Sequence, residues 1–395
     1  MDARKDTSWL AVVAAMLCGI AVAMNLGKVP ISMPELRREF GMSLVSAGTM
    51  SSMINTLAVS SALLFGVMAD RVGALRMCLA GLLVSAGGTA GALLATGATG
   101  LLVSRFAEGA GLVSVAVSAP SLLTAASSAG DRRFVMSLWG TNVPAGVGLV
   151  MLISPLTMPL GGWRVLWVLT AAAVVAGMLA TALCRHAFHR QHTADKDAGM
   201  LKNARQALAS PMPWLLGLAQ ASWSLQHFAL IVWLPTFLKD QRAIAPTTIA
   251  LLSCLVVLAN VPGNLLGARL LQRGARRGSL IVAGSVLAGM AGAGIYLDIF
   301  PDGVRYALCV ALSLIGGLIP ASVFSSSTIL ARTPKQIATL QGLFLQLSNL
   351  GSFVGPPLIA MLVAERGQWQ YAYAATGSAA FIGMLLGLAI RRRAV

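Results

Sequence analysis

Residues 66–76 read GVMADRVGALR and residues 267–277 read GARLLQRGARR, with glycines at the same two positions of both stretches. Each stretch is a short basic turn between two long apolar runs. The glycines of the second copy, Gly267 and Gly274, lie 201 residues after Gly66 and Gly73. A turn that returns at a fixed distance indicates that the chain consists of two similar halves.

A second pair of stretches supports this repeat. Residues 161–170 read GGWRVLWVLT and residues 367–376 read GQWQYAYAAT, at an offset of 206 residues. Two parallel halves related by an axis along the membrane normal are typical of transporters, whose substrate site lies between the halves. We therefore expect pseudo-two-fold symmetry in the fold.

The composition is that of a membrane protein. Of the 395 residues, 57% are hydrophobic and only 11% are charged, whereas a soluble chain carries about 25% charged residues. Apolar runs long enough to cross a bilayer as helices recur throughout the chain. We expect the first run to remain as the first span, because it is too long for the apolar region of a cleavable signal peptide. We expect an all-α polytopic membrane protein with the lipid bilayer as its surroundings.

Twelve membrane-spanning helices are predicted. Their approximate bounds are 9–33, 44–68, 75–97, 100–127, 134–157, 163–185, 213–238, 247–270, 278–299, 303–331, 337–363 and 369–391. The polar stretch 186–209 separates six spans from six. It divides the chain into an N-terminal bundle, residues 1–185, a cytoplasmic linker loop, 186–209, and a C-terminal bundle, 210–395.

The net charge of +16 follows from topology. If both termini lie in the cytoplasm, cytoplasmic segments hold 20 of the 29 lysines and arginines and outer loops hold seven. Such a bias sets the orientation of a membrane protein. It explains the basicity without a nucleic-acid partner. We expect a multi-pass protein of the bacterial inner (plasma) membrane, functioning as a monomer.

The loop after the second span resembles the signature G-x-x-x-D-R-x-G-x-x-R of the major facilitator superfamily. Gly66, Asp70, Arg71, Gly73 and Arg76 match this signature. The element R-x-x-x-G of span four is matched by Arg105 and Gly109, and GTNVPAGVG in span five is similar to the glycine- and proline-rich element. The resemblance covers the whole chain and implies a secondary transporter.

Within that superfamily the chain looks most like the cyanate/nitroimidazole transporter branch. Asn25, Lys28 and Pro30 in span one, and LIVWLPTF with Trp233 in span seven, carry this resemblance. The branch usually has arginine where this chain has Lys28, and the spacing to proline differs by one.

The resemblance also implies a gate formed by the five signature residues. It places Asp70 against the start of span eleven when the protein opens outward, where Thr333 is a candidate N-cap and Pro334 a candidate first residue. A helix N-terminus favours a nearby carboxylate. In the second copy of the turn, Leu271 occupies the position equivalent to Asp70. Only the N-terminal half therefore has this contact between an aspartate and a helix N-terminus, which we call the latch. The alternative is a solvated turn that serves topology alone.

Lys28 and Arg105 are the two basic residues that the topology does not explain. A charge within a span is rare and usually faces a cavity. Lys28 shares a helix face with Asn25 and Ser32, so we expect it to face the central cavity and to attract an anion. The alternative is that its ammonium reaches the outer interface.

Arg105 has Glu108 three residues later, a spacing that allows an ion pair. This pair is either structural or part of the substrate site. If protons are the coupling ion, Glu108 and His227 are the candidate carriers.

Polar and aromatic residues at equivalent positions of the two halves complete the candidate substrate site, although amides of this kind also serve as contacts between helices. The predicted substrate-binding residues are Asn25, Lys28, Arg105, Trp139, Asn142, Gln226, His227, Trp233, Ser325, Gln346 and Asn349.

A secondary transporter of a small molecule, an anion or a solute with an anionic group, explains these features best. Efflux of a drug, siderophore or metabolite is the alternative. A membrane enzyme is disfavoured because H-E-x-x-H and G-x-S-x-G are absent, and a receptor that binds without transport would show no flux. The Walker sequence is absent too, and we expect no metal and no cofactor.

The orientation can be tested with cysteines engineered at Ala194, in the linker loop, and at Gln368, in a predicted outer loop. A membrane-impermeant thiol reagent applied to intact cells should label Gln368→Cys and spare Ala194→Cys until the cells are permeabilised. Labelling of Ala194→Cys in intact cells would overturn the predicted orientation.

Overall fold

The computed structural model describes residues 6–188, 205–242, 245–332 and 334–393. Within these ranges the regular secondary structure is helical throughout. The chain divides into two compact units. Unit 1 comprises Met1–Ser43, Met53–Asp195 and Leu238–Cys254, and unit 2 comprises Leu44–Ser52, Lys196–Phe237 and Leu255–Val395.

Seven α-helices precede the linker. They are α1 (Trp9–Glu39), α2 (Leu44–Met53), α3 (Thr56–Val72), α4 (Ala74–Leu93), α5 (Ala98–Ala126), α6 (Arg132–Trp139) and α7 (Asn142–Leu183), followed by a 3₁₀ turn at Arg185–Phe188. Most of the linker predicted at 186–209 lies outside the described residues.

Eight further α-helices follow the linker. They are α8 (Pro211–Arg242), α9 (Pro246–Gln272), α10 (Arg277–Tyr296), α11 (Asp302–Gly316), α12 (Leu318–Ser325), α13 (Ser327–Leu330), α14 (Pro334–Arg366) and α15 (Ala372–Arg392). A 3₁₀ turn at Trp369–Tyr371 leads into the last helix.

The helices follow the twelve predicted spans. Ten helical segments in the described part of the chain are long and apolar enough to cross a membrane. One of them, α7, contains two predicted spans, because Gly161 and Gly162 have non-helical backbone angles. The remaining span, predicted at 44–68, is divided between α2, of 10 residues, and α3, of 17 residues. The first helix is longer than predicted, since it continues through Pro30 and Pro34 to Glu39.

Close contact between α5 and the break before α3 depends on a glycine. A β-carbon on Gly109 would lie 2.4 Å from the main-chain oxygen of Ile54. Small residues let membrane helices approach to backbone contact. The glycine of the predicted R-x-x-x-G element therefore packs α5 against the turn between α2 and α3, and this contact lies one residue from Glu108.

In unit 1, α1 packs against α5 and α7, and α4 packs against the same two helices. Its core includes Cys18 and Val22 of α1, Leu82 of α4, Leu122 of α5 and Val174 of α7. A core shared by four helices fixes their depth relative to one another. Polar side chains at the same level of these helices consequently meet inside the unit.

The kink in α7 is held by the end of α1. Glu35 accepts a hydrogen bond from the main-chain nitrogen of Trp163 at 2.8 Å, and Glu39 accepts one from the indole nitrogen of Trp163 at 2.8 Å. Arg164 forms an ion pair with Glu39. Because Gly162 has φ 65° and ψ −155°, a conformation that is essentially restricted to glycine, the kink needs this residue.

The substitution Gly162→Ala should therefore destabilise unit 1 by roughly 1–3 kcal/mol. The backbone angle is unfavourable for alanine, and the new β-carbon would lie 2.8 Å from a Glu35 carboxylate oxygen. Denaturant unfolding of the purified protein measures the change. Gly91→Ala in α4 is the matched control, because a β-carbon on Gly91 would have no neighbouring atom within 4 Å. Equal stability of Gly162→Ala and the wild type would contradict this account of the kink.

Candidate functional site

Three charged side chains meet inside unit 1, and we call them the charge cluster: Lys28 of α1 and Arg105 and Glu108 of α5. The Lys28 ammonium lies 2.7 Å from Oε1 of Glu108, and Nη1 of Arg105 contacts Oε2 of the same carboxylate. All three residues are 0% exposed. The predicted pair of Arg105 and Glu108 is confirmed, and Lys28 is a second cation on the same acid.

Hydroxyl and amide groups surround the cluster. Thr89 of α4 donates to Oε1 of Glu108 at 2.6 Å, and it accepts from Lys28 at 3.1 Å. Asn25 donates from its amide to Ser85 at 3.1 Å, and its main-chain oxygen accepts from Nη1 of Arg105 at 2.9 Å. The carboxylate therefore accepts hydrogen bonds from three side chains, which compensates part of the cost of burying it.

An aromatic ring completes the surroundings of Lys28. Its ammonium lies 4.2 Å from the centroid of a Trp167 ring, within the range of a cation–π interaction. The Trp167 indole nitrogen donates to Ser32 at 3.1 Å, which fixes the ring. Asn25, Lys28 and Ser32 thus share a face of α1, as predicted, and their contacts are with α4, α5 and α7 inside unit 1. Lys28 is fully buried, so its ammonium does not reach an interface in this structure.

The charge of the cluster is not balanced by its own members. Two cations and one carboxylate leave a formal excess of +1 among fully buried side chains. Nε and Nη2 of Arg105, and Oδ1 of Asn25, have no hydrogen-bond partner among the described residues. Nε and Nη2 form one edge of the planar guanidinium, and two parallel N–H groups match a carboxylate oxygen pair.

The sequence brings these groups together through helix spacing and small residues. Arg105 and Glu108 are three residues apart, so they lie on one face of α5. Beside them, a β-carbon on Gly88 of α4 would lie 3.0 Å from the main-chain nitrogen of Glu108. On the other side, a β-carbon on Gly27 would lie 2.6 Å from a methyl group of Val150 and 2.9 Å from the main-chain oxygen of Val147, both of α7. The small residues let three helices surround Lys28.

Two other predicted residues of the N-terminal half lie apart from the cluster. Trp139 and Asn142 are close to Gly19 of α1. Gly19 is nine residues before Lys28, about 13 Å along the helix axis. The structure therefore does not bring Trp139 and Asn142 to the cluster.

In unit 2, the predicted residue His227 of α8 contacts Ser313 of α11. Its Nε2 lies 2.8 Å from Oγ of Ser313, and its ring stacks on Trp223 with the centroids 4.8 Å apart. Asn260 donates to the main-chain oxygen of Ser313 at 2.9 Å. These contacts join α8, α9 and α11.

Local bonds hold several of the other predicted residues of unit 2. Gln226 donates to the main-chain oxygen of Ser222, Asn349 to that of Leu345 and Ser325 to that of Ser322. Trp233 is buried, and its indole nitrogen donates to the main-chain oxygen of Pro356 at 3.0 Å. Gln346 is half-buried in α14.

The predicted gate is described only in part. Gly73 has φ 97°, which explains the need for glycine between α3 and α4. Gly66 is half-buried, and Arg71 and Arg76 are exposed. The side chain of Asp70 and the whole of Thr333 lie outside the described part of the structure, so the latch stays a prediction.

Sequence reasoning missed Thr89, Ser85 and Trp167. Thr89 and Ser85 are separated by four residues and lie on one face of α4. This hydroxyl pair within an apolar run was a usable signal. Trp167 lies in the repeated stretch at 161–170, where its equivalent at the same offset is Tyr373, so the aromatic residue at this position of both halves was a second usable signal.

Comparison with known proteins identifies the chain's relatives. The sequence pattern described as Major Facilitator Superfamily matches residues 15–356 and 237–395. A Bacillus subtilis protein named as a niacin/nicotinamide transporter is 25% identical over 356 residues, covering 87% of this chain and 86% of that protein. A Cupriavidus necator protein named as a sulfoacetate transporter is 22% identical over 410 residues, covering 96% and 93%.

A solved structure shows the same fold. The crystal structure of a bacterial homologue of the human lysosomal transporter Spinster aligns with a TM-score of 0.79 at 15% identity, covering 96% of both chains. The all-α fold of two six-helix halves predicted from the sequence is confirmed. None of these three proteins is named as a cyanate or nitroimidazole transporter, and membership of that branch stays a prediction.

Removal of the acid from the cluster should destabilise the protein strongly. Glu108→Gln leaves two buried cations without their shared carboxylate, which should cost about 3–5 kcal/mol in unfolding free energy. The double variant Glu108→Gln with Lys28→Met removes one cation as well and should recover part of this loss. Denaturant unfolding of both variants measures the difference. A single variant as stable as the wild type, or a double variant less stable than the single one, would contradict the ion-pair account.

Proposed function

Because this chain belongs to the major facilitator superfamily, a group of multi-pass membrane transporters, we propose that it moves a small solute with an anionic group across the inner membrane by alternating access. The superfamily and the named relatives are transporters rather than enzymes. The proposal concerns the chemistry of the solute and the residues that bind it.

The unbalanced charge of the cluster carries this proposal. While Lys28 is protonated, the cluster has a fully buried excess positive charge, which is costly unless an opposite charge compensates it. A carboxylate or sulfonate placed against Nε and Nη2 of Arg105 would supply that charge and would satisfy both unpartnered groups. Lys28 already has Glu108, Thr89 and Trp167 as neighbours, so Arg105 is the better candidate for direct contact with the solute.

The names of two relatives each include an anion, although nicotinamide, which one of them also includes, is uncharged. One is named for niacin and nicotinamide and the other for sulfoacetate. Niacin is a carboxylate at neutral pH, and sulfoacetate carries a sulfonate and a carboxylate. A single guanidinium edge accepts either group because both present paired oxygens.

The charge distribution of the loops supports an orientation with both termini in the cytoplasm. The 20 basic residues of the predicted cytoplasmic segments, against seven in the predicted outer loops, favour this arrangement. A monomer is sufficient for the proposed activity, since the charge cluster is formed by one chain.

Matched pairs of acids and amides test the proposal. Acetate, benzoate, nicotinate and sulfoacetate, with acetamide, benzamide and nicotinamide as uncharged counterparts, form a ligand panel for the purified protein. At least one acid should raise the unfolding temperature and enter protein-containing liposomes, whereas its amide should do neither, because a ligand that binds the folded state stabilises it. Equal stabilisation by an acid and its amide would contradict an anion site.

The role of Arg105 is tested with Arg105→Lys, which keeps a positive charge and removes the guanidinium edge. A hydrogen bond to a charged group contributes about 1.5–3 kcal/mol, so affinity for the acid should fall by roughly ten- to 150-fold. Arg164→Lys is the matched control, since Arg164 is half-exposed and pairs with Glu39 outside the cluster. Arg105→Lys with wild-type affinity and a wild-type fold would exclude the proposed contact.

A further inference from the structure

We propose that Lys28 is the proton carrier of this transporter, and that one proton binds to its amine with each monovalent anion that binds at Arg105. The proposal rests on the anion site proposed above. It reassigns proton coupling from Glu108 and His227, the two carriers suggested by the sequence, to the lysine that shares the carboxylate with Arg105.

The net charge of the cluster depends on the anion and on the protonation state of Lys28. Without an anion, Arg105 and Glu108 balance each other only if Lys28 is a neutral amine. With a monovalent anion, two cations balance two anions only if Lys28 is an ammonium. The other two combinations leave a net charge of one unit among side chains that are 0% exposed. Burial therefore favours the two neutral states, in which the cluster has either a neutral Lys28 and no anion or a protonated Lys28 and one anion. Binding of the anion is consequently coupled to binding of a proton by Lys28.

Glu108 is poorly placed to hold the proton. Its Oε1 is 2.7 Å from the Lys28 ammonium and 2.6 Å from the Thr89 hydroxyl, and its Oε2 contacts Arg105. All three partners are donors. A proton on Oε2 would face Arg105, which has no lone pair to accept it. A proton on Oε1 could be accepted only by the Thr89 hydroxyl. In either position the proton would weaken the contact of Glu108 with a cation.

Lys28, in contrast, has hydrogen-bond partners in each of its protonation states. As an ammonium it donates to Glu108 and to Thr89, at 2.7 and 3.1 Å. As an amine it still donates to Glu108, and its lone pair accepts from the Thr89 hydroxyl after rotation about the side-chain torsion of Thr89. Arginine has no such second state, because its guanidinium stays protonated in proteins.

The helices packed around Lys28 supply a defined set of charged and polar neighbours. The charged groups facing it are Glu108 and Arg105 of α5. From α4 it meets the Thr89 hydroxyl, and from α7 the Trp167 ring. Along α1 itself, Asn25 and Ser32 bond to Ser85 and Trp167. His227 lies in unit 2 and bonds to Ser313 there.

The proton step balances without a further reactant. When the anion leaves, one N–H bond of the Lys28 ammonium breaks, the electron pair stays on nitrogen, and the proton passes to water. When an anion binds, the amine takes a proton from water on the side that is then accessible. The net reaction moves one monovalent anion and one proton together, so transport is electroneutral.

The experiment measures protons bound per anion on the full chain in detergent. The probe is the monovalent acid, nicotinate, benzoate or acetate, that stabilises the wild type most. Titration calorimetry in buffers of different ionisation enthalpy gives the stoichiometry. For the wild type we expect no proton uptake at low pH, where Lys28 is already protonated before the anion binds. As the pH rises, the stoichiometry should approach one proton per anion, and the apparent Kd for the anion should then increase tenfold per pH unit.

Lys28→Arg separates the possible carriers. It keeps the positive charge and cannot release a proton, so it should still bind the probe and should take up no proton at any pH tested. If Glu108 or His227 carries the proton, Lys28→Arg will keep the wild-type stoichiometry, and the proposal is wrong. Lys239→Arg, at an exposed lysine of α8, is the matched control and should keep it as well.

Flux through liposomes provides a second readout. An inward anion gradient should acidify the lumen of wild-type vesicles and leave the membrane potential unchanged, whereas vesicles with Lys28→Arg should not acidify even if the anion enters. If the wild type binds none of the acids, the anion proposal fails. If the wild type binds or transports an acid without proton uptake, the anion proposal stands and the Lys28 proposal fails.

Discussion

A carboxylate held between two buried cations is the constraint on which unit 1 depends. Glu108 contacts Lys28 and Arg105, and none of the three reaches the surface. A buried charge of this kind persists only when its partners stay within hydrogen-bond distance, since breaking a buried pair costs several kcal/mol. The cluster therefore fixes the position of α1 along α5. The contacts of Thr89 and Trp167 with the cluster fix the positions of α4 and α7 in the same way.

The same constraint explains why small residues surround the cluster. Gly88 and Gly27 lie where a β-carbon would approach another helix to 3.0 Å or less, and Gly109 lies equally close to the turn between α2 and α3. In a membrane, helices associate through such close packing because lipid provides little hydrophobic drive between them. Within this tightly packed region, Nε and Nη2 of Arg105 have no hydrogen-bond partner among the described residues.

The fold was predictable because its signals are long and repeated. Apolar runs and basic turns occur throughout the chain, so the twelve spans and the division into halves follow from the sequence. The break at the glycine pair 161–162 lies in the gap predicted between the spans 134–157 and 163–185, although α7 runs through Pro155 and Pro159 without an interruption. The break between α2 and α3 was not predicted, because it lies inside the span predicted at 44–68. Its neighbour Gly109 is more than fifty residues away along the chain.

The charge cluster was predictable only in part. The spacing of Arg105 and Glu108 on one helix predicted their pair, since such pairs depend on helix geometry alone. The contact of Lys28 with Glu108 joins residues 80 positions apart, and no local pattern indicates which helices will be neighbours. For this reason the sequence favoured Lys28 as the anion-binding residue, whereas the unpartnered nitrogens in the structure belong to Arg105.

The central claim is that a solute anion binds the free edge of Arg105, and the resonance of its Nε–H group tests this directly. The full chain labelled with ¹⁵N-arginine, with this resonance assigned through the Arg105→Lys variant, can be titrated with nicotinate, benzoate or acetate, whichever binds most tightly. The account predicts that the acid shifts the Arg105 Nε–H resonance and that the corresponding amide leaves it in place. An acid that binds the protein without moving this resonance would contradict the account.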